Sequence, residues 1–345
     1  GIAARPSAIS TLECLPRIAA VRVTTSEQFS ATVAAGKPVV IKDAFSHWPS
    51  LAAGRESPAA LNEYLKRMDT GALVPVMEAP PSTSGWYFYS PDLRDFNFSK
   101  RQARISETLD LIERFMTQPN APFVAIQMLP LSTHLPEFVR QNALALIPPT
   151  VMPRLWLGGP VRTQTHNDRD HNLACVIAGR RRFLLFPPEQ VANLYIGPLD
   201  NPPPLSLVNP ESPDFDRYPR FRQALSTACV AHLDAGDAIF IPKYWWHHVT
   251  SLDPYNAMVN YWWGDKGAGL ENANDCFLTA LLALKDLPPG ERAYWKAMFE
   301  THIFRSDEQD SVAHIPPELQ GALGAMSGSM RAKLKQQLKM AFLKS

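Results

Sequence analysis

The chain has 345 residues, 46% of them hydrophobic and 19% charged, and its 34 basic and 33 acidic side chains leave a net charge of +1. This composition describes a globular protein and excludes a fibrous or disordered chain, while the even charge removes any global pull towards nucleic acid or anionic membrane. No run of eighteen apolar residues occurs, the opening GIAARPSAIS lacks the basic-then-apolar order of a signal peptide, and four scattered cysteines form no C-x-x-C pair, so the expectation is no membrane span, no disulfide framework and a cytoplasmic protein.

KPVVIKDAF (37–45) is a β-branched run after a turn and reads as a buried strand. SPAALNEYLKRM (57–68) predicts a helix capped by Ser57 with Pro58 at its first position, and SETLDLIERFM (106–116) a second one with Ser106 as cap. Between them lies VMEAPPSTSGWYFYSPDLRDFNF, aromatic and turn-rich, a region of strands and loops. From residue 123 the pattern becomes short β-type runs: FVAIQML, RLWLGG, NLACVIAG, RRFLLFPP, DAIFIP, HHVTSL and NAMVNYWW. Together with 32 prolines, many of them paired, this excludes a solenoid over residues 1–265 and predicts a sandwich or barrel. After Trp263 come ANDCFLTALLALKDL, PGERAYWKAMFETHIF, PPELQGALGAM and SMRAKLKQQLKMAFLKS, four apolar-periodic segments that predict a helical appendage. Its last helix sets Leu334, Leu338, Met340 and Phe342 among five basic residues, a pattern that reads as a packed or dimer-forming helix ahead of the alternative, a membrane-surface helix.

In TQTHNDRDHN, His166 and Asp168 lie two apart, so on a strand both side chains leave one face and can grip one ion. In GDAIFIPKYWWHHV (236–249) two histidines follow a buried strand and two tryptophans, where an imidazole needs a partner, either a metal or a backbone carbonyl. His, Asp and a distant His together make the two-histidine, one-carboxylate face that holds non-haem Fe(II) and leaves three positions open for a cosubstrate and O₂. Asp170 and His171 fall outside this pattern and read as structural or solvent-facing.

The order H-x-D, GRRRFLLFPP, G-D-x-x-x-x-P-x-x-W-W-H-H, N-Y-W resembles the jumonji-C or cupin-like oxygenases, and within them the branch of the asparaginyl hydroxylase known as factor inhibiting hypoxia-inducible factor. KPVVIKDAFSHWPS and YPRFRQA (218–224) are similar to that branch's opening strand and its insert. The resemblance covers residues 35–265, with 163–188 and 236–263 its specific part. It implies a mainly β fold: a double-stranded β-helix (jelly-roll) core over 121–265, N-terminal α/β elements over 1–120, and a helical region 266–345 through which a homodimer forms.

The resemblance also assigns roles. His166, Asp168 and His247 become the iron ligands; His247 stands five residues after Pro242, where the family has its distal ligand, and alternation then turns His248 to the other face. The family's lysine for the cosubstrate 2-oxoglutarate falls at Arg181, sharing a face with Phe183 and Leu185, while Arg180 and Arg182 face outward to solvent. Thr163, Asn172 and Asn260 match positions that hydrogen-bond the cosubstrate. The family's tyrosine before the core falls within FVAIQM, which has none. The implied activity is a dioxygenase that hydroxylates a C–H bond, most readily on a protein or peptide side chain, with APPSTSGWYFYSPD (79–92) either bordering a peptide groove or forming a rigid loop. The alternatives are a hydroxylase of a small molecule or modified RNA base, a demethylase with an aromatic cage, and a non-catalytic metal-binding cupin acting as sensor or assembly module. Nucleic acid is disfavoured, since only the arginine cluster and the last helix offer basic surface. Of Trp245, Trp246, Trp262 and Trp263 around the centre, at least two read as core.

Overall fold

The computed structural model describes residues 8–200, 202–265 and 267–344, so most of the opening GIAARPSAIS lies outside the described residues. The chain divides into two units, Gly1–Gly264 and Asp265–Ser345.

The first unit holds strands β1 (Ala20–Arg22), β2 (Val39–Lys42), β3 (Leu73–Ala79), β4 (Trp86–Tyr87), β5 (Ser99–Arg104), β6 (Phe123–Pro130), β7 (Pro153–Gly158) and β8 (Arg162–His166). These are followed by β9 (His171–Ala178), β10 (Arg181–Phe186), β11 (Cys229–Leu233), β12 (Asp237–Ile241), β13 (Trp246–Ser251) and β14 (Asn256–Trp263). Nine of them form one sheet in the order β1-β2-β12-β9-β14-β7-β6-β3-β5, and five form another, β11-β10-β13-β8-β4. The last eight strands are shared equally: β7, β9, β12 and β14 in the large sheet, β8, β10, β11 and β13 in the small one. That is the double-stranded β-helix, and it explains why its runs are continuously apolar. On β9, Ala174 and Val176 meet Phe183, Leu185, Ile239, Ile241 and Val249 inside the barrel. Leu173, Cys175 and Ile177 on the opposite face pack against the helical layer instead. Strands buried on both faces lose polar alternation.

The large sheet takes strands from both sides of residue 120, β3 pairing with β6 in one ladder. Its outer face is covered by helices Pro49–Glu56, Pro58–Lys66 and Ile105–Phe115, which contribute Leu51, Leu61, Leu65, Leu109 and Ile112 to the largest core. Each such side chain adds about 1.5–3 kcal/mol when fully buried. The first helix comes so close to β9 that a Cβ at Gly54 would stand 2.0 Å from the Ile177 carbonyl oxygen. Only glycine fits there.

Ser57 caps its helix as expected, accepting from the Ala60 N–H. Ser106 does not cap. It lies inside the helix that starts at Ile105, and its backbone N–H and hydroxyl both donate to Asp69, 37 residues earlier in the chain. A distant carboxylate therefore performs the capping that a local serine was expected to perform.

In the second unit three of the four apolar segments are helices, Ala273–Leu284, Pro289–His302 and Gly328–Leu343. PPELQGALGAM forms two short 3₁₀ turns instead, Pro317–Leu319 and Gly321–Leu323, the second opening on Gly321, whose φ is +57°. Val312 is this unit's one buried apolar side chain among the described residues, and Leu282 and Phe304 are 88% and 73% exposed. No helix of the described residues is long and apolar enough to cross a membrane.

Candidate active site

The site is assembled from the small sheet. β8 reads RTQTH, too polar to announce a strand, because its outer side is buried under the 187–228 segment rather than under apolar side chains. The Gln164 carboxamide donates to the carbonyls of Ser206 and Val208, each at 2.7 Å, and accepts from Trp86 Nε1 at 2.9 Å. Against β13, His166 pairs with His247 but Thr163 pairs with Val249, so three residues of β8 span two of β13. This β-bulge re-aims the strand: Thr163 and His166, three apart, both line the cavity, and Gln164 and Thr165 do not.

The strand ends at His166, so Asp168 is not held by strand alternation as expected. It lies in the following loop, tied to the β12–β13 loop by the Tyr244 N–H donating to the Asp168 carbonyl (2.8 Å) and Asn167 Nδ2 donating to the Tyr244 carbonyl (3.1 Å). Those two bonds join the loops that deliver Asp168 and His247. Among the described residues, His166, Asp168 and His247 are the one group of three potential metal donors, with ligand atoms all within 4.8 Å of one another. His247 Nε2 is 3.3 Å from one oxygen of Asp168, and His166 Nε2 is 3.9 Å from the other.

Each ring is oriented from behind. His166 Nδ1 lies 2.8 Å from the Gln164 carbonyl and His247 Nδ1 3.0 Å from the Trp245 carbonyl. A carbonyl only accepts, so both Nδ1 atoms carry the proton and both Nε2 atoms present lone pairs to the shared centre. Burial and the neighbouring His247 pull the His166 pKa down. Burial also pulls on His247, but the hydrogen bond and charge of Asp168 outweigh it and raise that pKa. The donor set, two imidazole nitrogens and one carboxylate, suits a divalent transition metal.

His248 points the other way. Its Nδ1 is 3.5 Å from Thr165 Oγ1, its Nε2 is buried without a partner, and burial pulls its pKa to about 3. His171 Nδ1 accepts the Lys243 N–H and its ring packs on Phe240 and Trp263, a structural place outside the cavity.

The arginine cluster splits three ways. Arg180 is exposed and paired with Asp253 through two nitrogens. Arg182 does face outward, but it is not solvated as expected: only 6% exposed, it lies under the 187–228 segment and donates to Glu211 at 2.7 Å. The same carboxylate also takes Arg162. Arg181, equally buried, faces the barrel interior, and its Nε has no partner. No carboxylate pairs with it among the described residues, and burial alone pulls its pKa to about 10. An unpaired buried charge costs several kcal/mol, a cost that an anion in the cavity could offset.

One cavity, about 580 Å³ with its mouth included, takes in all seven residues named from the sequence: Thr163, His166, Asp168, Asn172, Arg181, His247 and Asn260. Asn260 is engaged on both sides, accepting from Trp156 Nε1 at 2.7 Å and donating to Asn172 at 3.1 Å, and so braces the wall. Sequence reasoning missed Ser251, Trp156 and Gln127, which also line the cavity. Alternation from His247 through Val249 reaches Ser251, the cross-strand neighbour of Arg181. Of the four tryptophans, Trp262 alone lines the cavity; Trp245, Trp246 and Trp263 pack in the cores.

This fold and site define a cupin. The chain belongs to the cupin-like domain family, which it matches over residues 25–268. It is similar to the lysine-specific demethylase JMJ31 of Arabidopsis thaliana, 34% identical over 41% of this chain and 25% of that protein. It is likewise similar to human HSPB1-associated protein 1, 35% identical over 41% of this chain and 30% of that one, so these matches span under a third of either relative. Human bifunctional peptidase and (3S)-lysyl hydroxylase JMJD7 is 26% identical over 67% of this chain and 78% of its own length.

Proposed function

We propose that this protein is an Fe(II)- and 2-oxoglutarate-dependent dioxygenase that hydroxylates a C–H bond of a protein or peptide side chain. The observation that carries the reading is the convergence, in one cavity, of a preoriented His-Asp-His donor set and a buried arginine without a counter-charge. His166, Asp168 and His247 would hold the iron, and Arg181 the far carboxylate of 2-oxoglutarate. When bound, the iron supplies activation of O₂ coupled to decarboxylation of 2-oxoglutarate to succinate.

The chain's own groups do the rest. The Gln164 and Trp245 carbonyls keep both imidazoles in the tautomer that offers Nε2. Arg181 stays protonated at neutral pH, since even its lowered value of about 10 lies well above 7. The Trp156–Asn260–Asn172 chain fixes one wall, and the apolar interior around Phe183 and Val249 limits water at the reacting centre. The relatives named for lysyl hydroxylation and lysine demethylation support a protein side chain as substrate.

The helical unit supports a homodimer. Its exposed Phe277, Leu278, Leu282, Trp295, Phe304 and Phe342 are large apolar side chains of the kind that interface cores are made of. A second copy covers such a surface symmetrically. Light scattering on the chain truncated after residue 266 would contradict this if the dimer persisted.

The activity test is succinate formation from 2-oxoglutarate with Fe(II) and ascorbate, comparing wild type with His166→Ala. Ligand-dependent turnover is expected. Metal-dependent 2-oxoglutarate binding without turnover in the presence of candidate peptides would favour the non-catalytic sensor instead.

A further inference from the structure

We propose that the mouth of this cavity admits a substrate side chain without positive charge, neutral or acidic, and excludes lysine and methyl-lysine ammonium groups. The inference rests on the enzymatic reading above and departs from what the names of the relatives suggest.

The first observation is a census of charge. Asp168 is the one carboxylate lining the cavity, and it belongs to the metal donor set. An ammonium entering beside the metal would find no second carboxylate on the described lining to compensate it.

The second is Arg154. It lies on β7 opposite Asn260, on the same face as Trp156, and no carboxylate pairs with it among the described residues. Its Nη1 donates to the Met128 carbonyl at 3.3 Å, and its guanidinium lies 5.7 Å from the centre of the Trp262 ring. One face of Trp262, a ring that lines the cavity, is therefore already engaged by a cation of this chain. A cationic side chain arriving there meets like charge.

The third is an excess of donors. Trp262 lines the cavity, yet its indole N–H is buried without an acceptor. Gln127 lines it too, brought there by a bulge in β6: Ile126 pairs with Leu157 but Leu129 with Leu155, and Met128 between them adopts a φ of +57°. A left-handed conformation at an unbranched but bulky residue is costly, and such strain concentrates at functional sites. The arrangement points to a ligand oxygen that accepts from Trp262 Nε1 and lies near Arg154 and Gln127, as an amide or a carboxylate side chain offers.

The test reads the mouth directly, on the metal-free full chain, by quenching tryptophan emission with iodide and with caesium. The Trp262 component is the difference between wild type and Trp262→Phe. With each ion's quenching normalised to that of free N-acetyltryptophanamide, iodide should exceed caesium by about sevenfold, since a potential of about one kT enriches the anion and depletes the cation by about 2.7-fold each, and Arg154→Glu should invert the normalised order. Should Trp262→Phe fail to fold, the iodide-to-caesium ratio of the total emission, compared between wild type and Arg154→Glu, reads the same potential. Equal normalised quenching, no quenching by iodide, or a normalised preference for caesium in the wild type would overturn the proposal, as would oxidation of a lysine-centred peptide by the wild-type enzyme. Because quenching needs no turnover, absent succinate formation with an iodide preference overturns only the enzymatic reading. Succinate formation with a caesium preference overturns only this one.

Discussion

On β13 the ring of His247 faces the barrel interior and that of His248, the next residue, faces the layer behind the same sheet. The two surroundings treat an imidazole in opposite ways. Inside, Asp168 raises the His247 pKa, and the Nε2 atoms of His247 and His166 converge on its carboxylate. Outside, His248 is held neutral, with Glu211 committed to Arg162 and Arg182. The same division separates the arginines: Arg182 outside has its carboxylate, and Arg181 inside has none. On the outer face Glu211 compensates both arginines and His248 stays neutral; on the inner face Arg181 has no counter-ion among the described residues.

That contrast sets the size of the effects expected when each side is altered. The largest is His247→Ala, which should reduce metal-dependent succinate formation to background, whereas His248→Asn should leave it within about tenfold of wild type, the lower end of an outer-layer effect. Turnover assays of the two variants side by side decide this. Next is Arg181→Leu: losing a charge-assisted, bidentate contact should raise the Kd for 2-oxoglutarate by about a hundredfold, and Arg181→Lys should recover part of it, as calorimetry would show.

Glu211→Gln works on the other side. Two buried arginines lose their shared partner, so denaturant unfolding should reveal a loss of about 3 kcal/mol, with the Kd for 2-oxoglutarate unchanged. The smallest effect belongs to Asp69, far from the site. Burial pushes its pKa up, but hydrogen bonds from Ser106 and Gly71 outweigh burial and lower it. A carboxylate with a depressed folded pKa stabilises the protein above its unfolded value, near 3.9, and loses that contribution as pH falls through the folded value. Asp69→Ala should therefore cost about 1 kcal/mol at pH 7 and progressively less below pH 4 in unfolding measured against pH.

How much of this was legible follows from what buries each segment. β9, β10, β12 and β14 announce themselves because both of their faces meet apolar side chains. β8 does not, because the outer side of RTQTH is satisfied by backbone carbonyls of a segment some forty residues away. The positions of His166, Asp168, His247 and Arg181 within one cavity were readable from spacing and family resemblance. The bulge that lets Thr163 join His166 was not, since a one-residue register shift leaves no mark on composition. Nor was the burial of Arg182, which looks identical to Arg180 until Glu211 is brought to it, or the capping of residues 105–115 by Asp69. Both depend on long-range partners. The helix expected over PPELQGALGAM fails for a local reason, the glycines at 321 and 324, that the apolar spacing outweighed in the reading.

The most direct measurement is calorimetric binding of 2-oxoglutarate to wild type, His247→Ala and Arg181→Leu, each with and without a redox-inert divalent metal such as Mn(II). Wild type should bind only when metal is present, and both variants should lose most of that binding. Wild-type binding that is indifferent to metal, or unchanged in Arg181→Leu, would contradict a cavity whose inner face is completed by a metal at one end and an anion at the other.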